Sequence, residues 1–399
     1  MRRPQLFALL LSALLSLALH AQPASSNRGA TVRDNEPCPA GMTLVRPGNC
    51  QAPSLTPPSI LDYRPRSTLV TPVHAVPKAK FPAIDFHGHP YEQLNSAAGL
   101  TTLGAALDAI GVRVIVAANN ASGESLARQA ALVRASPTMR DRVRILAGVN
   151  FQGAGGPGWA EKTVAQLEAD VAAGAVGIGE IDKGLGLRYR KADGSRLQID
   201  DPILDPIWQA AARLKLPVFI HTADPQEFWQ PLDFSNERWL ELALFPGRRY
   251  SGEPSFEALM TERDNMLRRN PSTTFVIAHL GWHAANLGRL AKMMDAMPNL
   301  YSEVGAVLYD IGRQPRAAHD FFVKYQDRLL FGKDSFQPEE YPYYWRVFET
   351  RDDYFDYYRD YHAKWKLYGI ELPDAVLKKV YFSNALRITG GLPQAGWPK

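Results

Sequence analysis

Eight short runs of β-branched and apolar residues recur at the pitch of a strand plus a helix. This recurrence constrains the fold more than any other feature. The runs are Ala83–His87, Val112–Ala117, Val143–Val149, Ala175–Ile181, Pro217–His221, Thr274–His279, Leu300–Val304 and Leu329–Gly332. The first four begin at 83, 112, 143 and 175, which puts their starts 29, 31 and 32 residues apart. Amphipathic segments separate them, among them Ala97–Ile110, Glu124–Ala135, Trp159–Ala173, Leu204–Leu214 and Ser255–Arg269. Strands that alternate with helical crossovers pair in parallel. Eight such units predict an α/β fold, a (β/α)8 TIM-type barrel over residues 81–399, with any site at the C-terminal strand ends. Two connections are long, one after His221 and one after Asp334. Both are dense in aromatic residues, from Phe228 to Phe245 and from Tyr341 to Tyr368. Packing of large insertions is the expected role for most of these rings.

The barrel pattern starts only near Phe81. Residues 22–80 are Pro-rich and lack apolar periodicity, which predicts an irregular arm. Ahead of it, Arg2 and Arg3 precede an apolar run, Leu6–Leu19, that is shorter than the ~20 residues of a spanning helix. This predicts a signal peptide over 1–21, cleaved after Ala21, with an uncleaved anchor as the alternative. The expected location is therefore periplasmic or secreted. The only two cysteines, Cys38 and Cys50, then read as one local disulfide. Closing a loop of that size contributes about 3 kcal/mol in the chain-entropy model.

Composition narrows the partners. With 45 Lys+Arg against 41 Asp+Glu the formal charge is +4, and removing Arg2 and Arg3 leaves +2 (4 − 2). Nucleic-acid and anionic-membrane surfaces need a concentrated positive stripe, so neither partner is expected. A small-molecule substrate is expected, and a homodimer is the commonest assembly. The sequence has no Walker loop, dinucleotide fingerprint or Gly-x-Ser-x-Gly elbow, which weakens kinase, dehydrogenase and serine-hydrolase readings.

The chemistry gathers at the strand ends. In Asp85-Phe86-His87-Gly88-His89, residues i and i+2 of a strand point the same way, so His87 and His89 present two imidazoles to one point. Gly88 between them is expected to give the backbone room to turn. His221 closes the fifth run, His279 the sixth, and Asp334 follows the eighth. Imidazole and carboxylate are the usual donors for zinc and similar ions. Each residue alone reads as a hydrogen-bonded structural group. All five at corresponding points of separate units point to one metal pocket.

These segments, with Ile220-His221-Thr222, Ala278-His279-Leu280-Gly281, Gly332-Lys333-Asp334 and Ser383-Asn384-Ala385, resemble the amidohydrolase superfamily. The branch most resembled is the amidohydrolase-related group that also includes metal-dependent aromatic-acid decarboxylases. The resemblance spans roughly Phe81 to Gly391. It implies a distorted barrel with one or two divalent ions, zinc as first choice. It implies His87, His89 and His221 as ligands, and Asp334 as a ligand or as the group holding the reacting water. It implies that His279 polarises water or substrate, or binds a second ion. Some superfamily members carry a bridging Glu or a carboxylated Lys on the fourth strand. Glu180 matches the former by position, and Lys183 is the nearby alternative; a structural ion pair is the other reading of Glu180. Asp334 is the candidate proton carrier and His279 the candidate stabiliser of a carbonyl oxygen. Arg313 and Lys183 are candidate substrate contacts. Glu303 lies near a strand end but alternates with core positions. His283 reads as structural, and His74, His319 and His362 receive no role.

The reading is an exported metal-dependent hydrolase of an amide, ester or lactone. A decarboxylase of an aromatic or unsaturated acid and a non-catalytic ligand-binding barrel are the alternatives.

Overall fold

The computed structural model describes residues 29–33, 35–362 and 364–399. The signal-peptide expectation lies outside the described residues. The chain divides into two compact units, one ending at Leu69 and one spanning Val70–Lys399.

In the first unit the predicted irregular arm contains a small antiparallel sheet. Asn49–Gln51 is its central strand, pairing with Gly29–Thr31 on one side and Thr43–Arg46 on the other. Cys50 is the one buried residue of that central strand, and it is bonded to Cys38. The staple thus supplies the interior that so short a stretch lacks.

The second unit is the predicted barrel. Its strands are β1 (Ala83–His89), β2 (Val112–Ala121), β3 (Val143–Ala147), β4 (Ala175–Ile181), β5 (Val218–Ile220), β6 (Phe275–Ile277), β7 (Leu300–Glu303), β8 (Leu329–Leu330) and β9 (Asp334–Ser335). Each pairs in parallel with the next through β8, and β9 pairs in parallel with β1 through Asp334↔Gly88 and Ser335↔His89. β8 and β9 are therefore two pieces of one interrupted eighth strand, and together they close the barrel. Every residue of β1 and β4 is buried, as expected of parallel strands covered on both faces. The helices α1 (Ala97–Ile110), α2 (Gly123–Ala135), α3 (Trp159–Ala173), α4 (Asp205–Leu214), α5 (Phe256–Arg269), α6 (Leu287–Ala296) and α7 (Pro315–Lys324) follow β1 to β7 in turn. A helical run over 374–388 follows β9. Serine caps start two of them: Ser96 accepts from the Gly99 amide at α1 and Ser255 from the Ala258 amide at α5.

Residues 70–80 lie in the barrel unit. The His74 amide and imidazole both bond Asp352, and Lys80 pairs with Asp374. The second insertion packs as expected: Tyr341, Tyr344, Trp345 and Phe348 are fully buried, and Phe331 lies 4.5 Å from Trp345. Among the described residues, no helix is long and apolar enough to cross a membrane.

Candidate metal centre

Strand β1 delivers His87 and His89 to the barrel mouth. Gly88 is not a turn: it stays in the strand, where an added Cβ would lie 2.4 Å from Ile115 Cγ1. A side chain here would displace that of Ile115 on β2. Asp85 holds this strand to the last one. Its Oδ1 accepts from the amides of His87 (3.0 Å) and Lys333 (3.1 Å), and its Oδ2 accepts from the Tyr341 hydroxyl (2.5 Å). The Lys333 bond is one cause of the break between β8 and β9, because it turns that amide from the sheet toward a side chain. Asp334 follows with φ +83°, a strained conformation for a non-glycine residue.

His279 lies beyond the end of β6 rather than on it. His279, Leu280, Gly281 and Trp282 all have positive φ, between +50° and +61°. Such a left-handed turn is costly for side-chain-bearing residues and marks functional positions. It is held from outside: the His279 amide donates to Glu303 Oε1 (2.6 Å) and its Nδ1 bonds the Gly305 carbonyl (2.8 Å).

Four imidazoles meet in this way. Ring centroids are 5.1 Å apart for His87–His89, 5.1 Å for His87–His279 and 4.4 Å for His221–His279. Glu180, at the end of β4, sits among them. Its Oε1 bonds His221 Nδ1 at 2.6 Å, while Oε2 lies 3.1 Å from His89 Nε2 and 3.4 Å from His87 Nε2. Asp334 Oδ1 approaches the same two nitrogens, at 3.6 Å and 3.9 Å. Three donor sets result, His87–His89–Glu180, Glu180–His221–His279 and His87–His279–Glu303, each with its ligand atoms within 4.8 Å of one another.

Charge is arranged to receive a cation. Burial works against ionising Glu180, but the His87 charge, the His221 bond and the nearby His87 and His89 rings hold its carboxyl well below the usual range. Burial likewise opposes ionisation of Asp334, and His87 and His279 outweigh it, leaving the group below its ordinary value. Burial disfavours a charged His87, yet Glu303 and Glu180 push it well above the usual imidazole value. His279 is driven the other way, down to about 4, by burial and by its His221 neighbour. The residues fit a divalent ion on a further count: among the described residues, buried His87 Nε2 and His221 Nε2 have no hydrogen-bond partner. Buried polar atoms are ordinarily paired, and an ion is one standard partner.

Aromatic rings line the mouth. Tyr91 stacks on His89 at 5.3 Å, and Trp282 stacks on His279 at 4.5 Å. The Trp282 indole is fixed by a bond to the Ala223 carbonyl.

All five strand-end residues expected to cluster do so, and Glu180 joins them. The two expected substrate contacts are placed differently. The Lys183 ammonium is held by both oxygens of Asp224, at 2.7 and 2.5 Å, and Tyr250 donates to the same carboxylate. Arg313 is clamped by Glu237 and Asp310 and lies 4.0 Å over the Trp365 ring. A guanidinium so engaged has a structural partner on each side. Glu303, passed over in the sequence, is fully buried at the centre of the cluster. Its one signal in the sequence was an acid closing a short strand, and that alone does not give the direction of the side chain.

The sequence comparison agrees with this geometry. A family model described as amidohydrolase matches residues 84–390. No curated protein matches the chain in sequence. Among solved structures, a TIM-barrel protein of Bordetella bronchiseptica is 17% identical with a TM-score of 0.48, covering 77% of this chain and 97% of that one. A 2,6-dihydroxybenzoate decarboxylase bound to 2,6-dihydroxybenzoate is 15% identical with a TM-score of 0.46, covering 77% and 98%. A dihydroxybenzoic acid decarboxylase of a Polaromonas species, with bound manganese and 2-nitroresorcinol, is 14% identical with a TM-score of 0.44, covering 77% and 96%. The family model spans well over half of the sequence, from the first barrel strand to the last helical run, and the chain belongs to the amidohydrolase family.

Proposed function

We propose that the protein is a metal-dependent hydrolase of an amide, ester or lactone bond, in which Glu180 would help to hold two divalent ions. The observation that carries this reading is that Glu180 belongs to two of the donor sets, one oxygen toward His87 and His89 and the other toward His221. In this assignment His87, His89 and Asp334 would hold one ion, and His221 and His279 the other. Zinc suits a mixed imidazole and carboxylate shell. Ions of this kind acidify water and polarise carbonyl oxygens.

The chain supplies the rest. Asp334 is the donor nearest solvent, its side chain 37% exposed against 10% for Glu180. It is the group placed to take a proton and return it to the leaving group. His279, with Nδ1 donating to the Gly305 carbonyl, leaves the Nε2 lone pair for the ion. Lys183, braced by Asp224 two positions past a Thr that follows His221, borders the site as a charge for an acidic substrate group.

One feature favours a second reading. Tyr91 and Trp282 flank the centre with ring faces, which suits a flat aromatic acid and its decarboxylation at a single ion. Elemental analysis of purified protein separates the two. A ratio near two with hydrolysis of an amide, ester and lactone panel supports the first. A ratio near one with carbon dioxide release from aromatic acids supports the second. Loaded protein inert on both panels leaves a binding barrel, and a ratio of zero removes both metal-dependent readings. The Cys38–Cys50 bond supports an exported location, which fractionation of cells producing the full chain tests.

A further inference from the structure

Glu303 forms a donor set with His87 and His279, but it meets His87 at Nδ1, not at the Nε2 that faces Glu180 and Asp334. It ends β7 and is fully buried. Its Oε1 lies 3.1 Å from His87 Nδ1 and accepts from the His279 amide at 2.6 Å, and its Oε2 accepts from the Gly305 amide at 2.6 Å. The space around it fits a carboxylate closely. A Cβ on Gly305 would lie 2.8 Å from Glu303 Oε2 and 3.2 Å from His87 Nδ1, and one on Gly332 would lie 2.5 Å from Oε2 and 2.7 Å from His87 Cβ. Two glycines from two strand ends leave room for this one contact.

We propose that Glu303 is the positioning carboxylate of the centre: it holds a proton on His87 Nδ1, so that Nε2 faces the cation, and its same oxygen fixes the His279 backbone on the opposite wall. The inference rests on the metal-centre reading and deepens it. The geometry is consistent on both nitrogens of His87. Nδ1 faces Glu303, whereas Nε2 faces Glu180 Oε2 and Asp334 Oδ1 and has no hydrogen-bond partner. A carboxylate behind a ligating imidazole fixes its tautomer and raises its basicity, and its loss typically weakens metal binding about 10–100-fold. Here the carboxylate also anchors the strained turn that carries His279. One substitution should therefore disturb both sides of the centre.

The test is Glu303→Gln, which keeps the shape but cannot accept on both sides at once. Zinc and manganese affinities are measured by competition with a chromophoric chelator, on the full chain. The downfield Nδ1 proton of His87 is followed by NMR in the zinc-loaded protein. The expected result is metal binding at least tenfold weaker, with loss of that proton signal, while circular dichroism still reports a folded barrel. Affinity equal to the parent, with the proton retained, overturns the proposal. If Glu303→Gln does not fold, Glu303→Asp is measured instead: it keeps the charge but withdraws it, so equal affinity overturns the proposal and a tenfold loss supports it. Failure of the parent protein to bind either ion is a different outcome. It removes the metal-centre reading and this role with it.

Discussion

Individual residues at this centre carry more than one constraint. Gly332 stands against both His87 Cβ and Glu303 Oε2, so Gly332→Ala must displace one of them. Overpacking of this kind costs about 1–3 kcal/mol. Urea unfolding should show a lower midpoint, and zinc titration a weaker site; an unchanged midpoint would show that the cradle yields freely. Asp334 is the proton carrier of the proposed chemistry and only one of several ligands. Asp334→Asn should therefore retain an ion in elemental analysis while hydrolysis falls by about a hundredfold or more. Retained hydrolysis with the ion in place would move that role to another group. Of the residues that build the centre, His87, His89, His221, His279 and Asp334 were legible as polar groups ending apolar strands. Glu303 was not singled out, because on a four-residue strand alternation alone does not distinguish an inward acid from a neighbouring core position.

Elements bring these residues together through a few long-range ties. β1 is bound to the β8–β9 break by Asp85, which bonds the Lys333 amide and the Tyr341 hydroxyl. Burial pushes the Asp85 carboxyl up, and the Tyr341 bond works against that shift. Removing the hydroxyl with Tyr341→Phe leaves a buried carboxyl short of a donor, at a cost of about 1–3 kcal/mol. Equilibrium denaturation checks the loss, and a midpoint matching the parent would show that Asp85 finds another donor. The helices and the long strands follow their sequence pattern closely: Ala97–Ile110 and Trp159–Ala173 have the predicted bounds. The departures lie where side chains compete with the sheet. The eighth run splits because Lys333 bonds Asp85 and Gly332 lies against Glu303. The sixth ends at Ile277 because His279 enters a left-handed turn stabilised by Glu303 and Gly305.

At the scale of the whole molecule, the two long insertions meet in a buried cluster. Arg238 and Glu241 pair at 2.9 Å, His362 lies 3.2 Å from Glu241, and Arg238 rests 4.4 Å over the Tyr309 ring. Glu241 is brought down to about 2: burial opposes this, but the His362 bond and the Arg238 charge prevail. His362 is brought down to about 4, chiefly by burial. Both folded values lie below the ordinary ones, so the unfolded chain takes up the protons first and acid destabilises the fold. Stability from His362 is full above pH ~6.5 and falls toward pH 4, and that from Glu241 falls between pH ~4.5 and 2. Thermal melts from pH 7 to 3 should fall in those windows. Glu241→Gln should flatten the lower one; an unaltered slope there would assign the acid loss to other carboxylates.

The sequence by itself determined the barrel, the order of its strands, the disulfide and the ring of imidazoles. Each of these follows from local periodicity or from residue type at a strand end, and such signals survive without knowledge of distant neighbours. Only the tertiary structure decided that Glu180 serves two donor sets, that Glu303 lies behind His87, and that Arg313 is already clamped. Those facts depend on pairs separated by 41 residues between Glu180 and His221, 216 between His87 and Glu303, and 76 between Glu237 and Arg313. Contacts at such separations are set by how strands register and where loops cross, which no local pattern encodes.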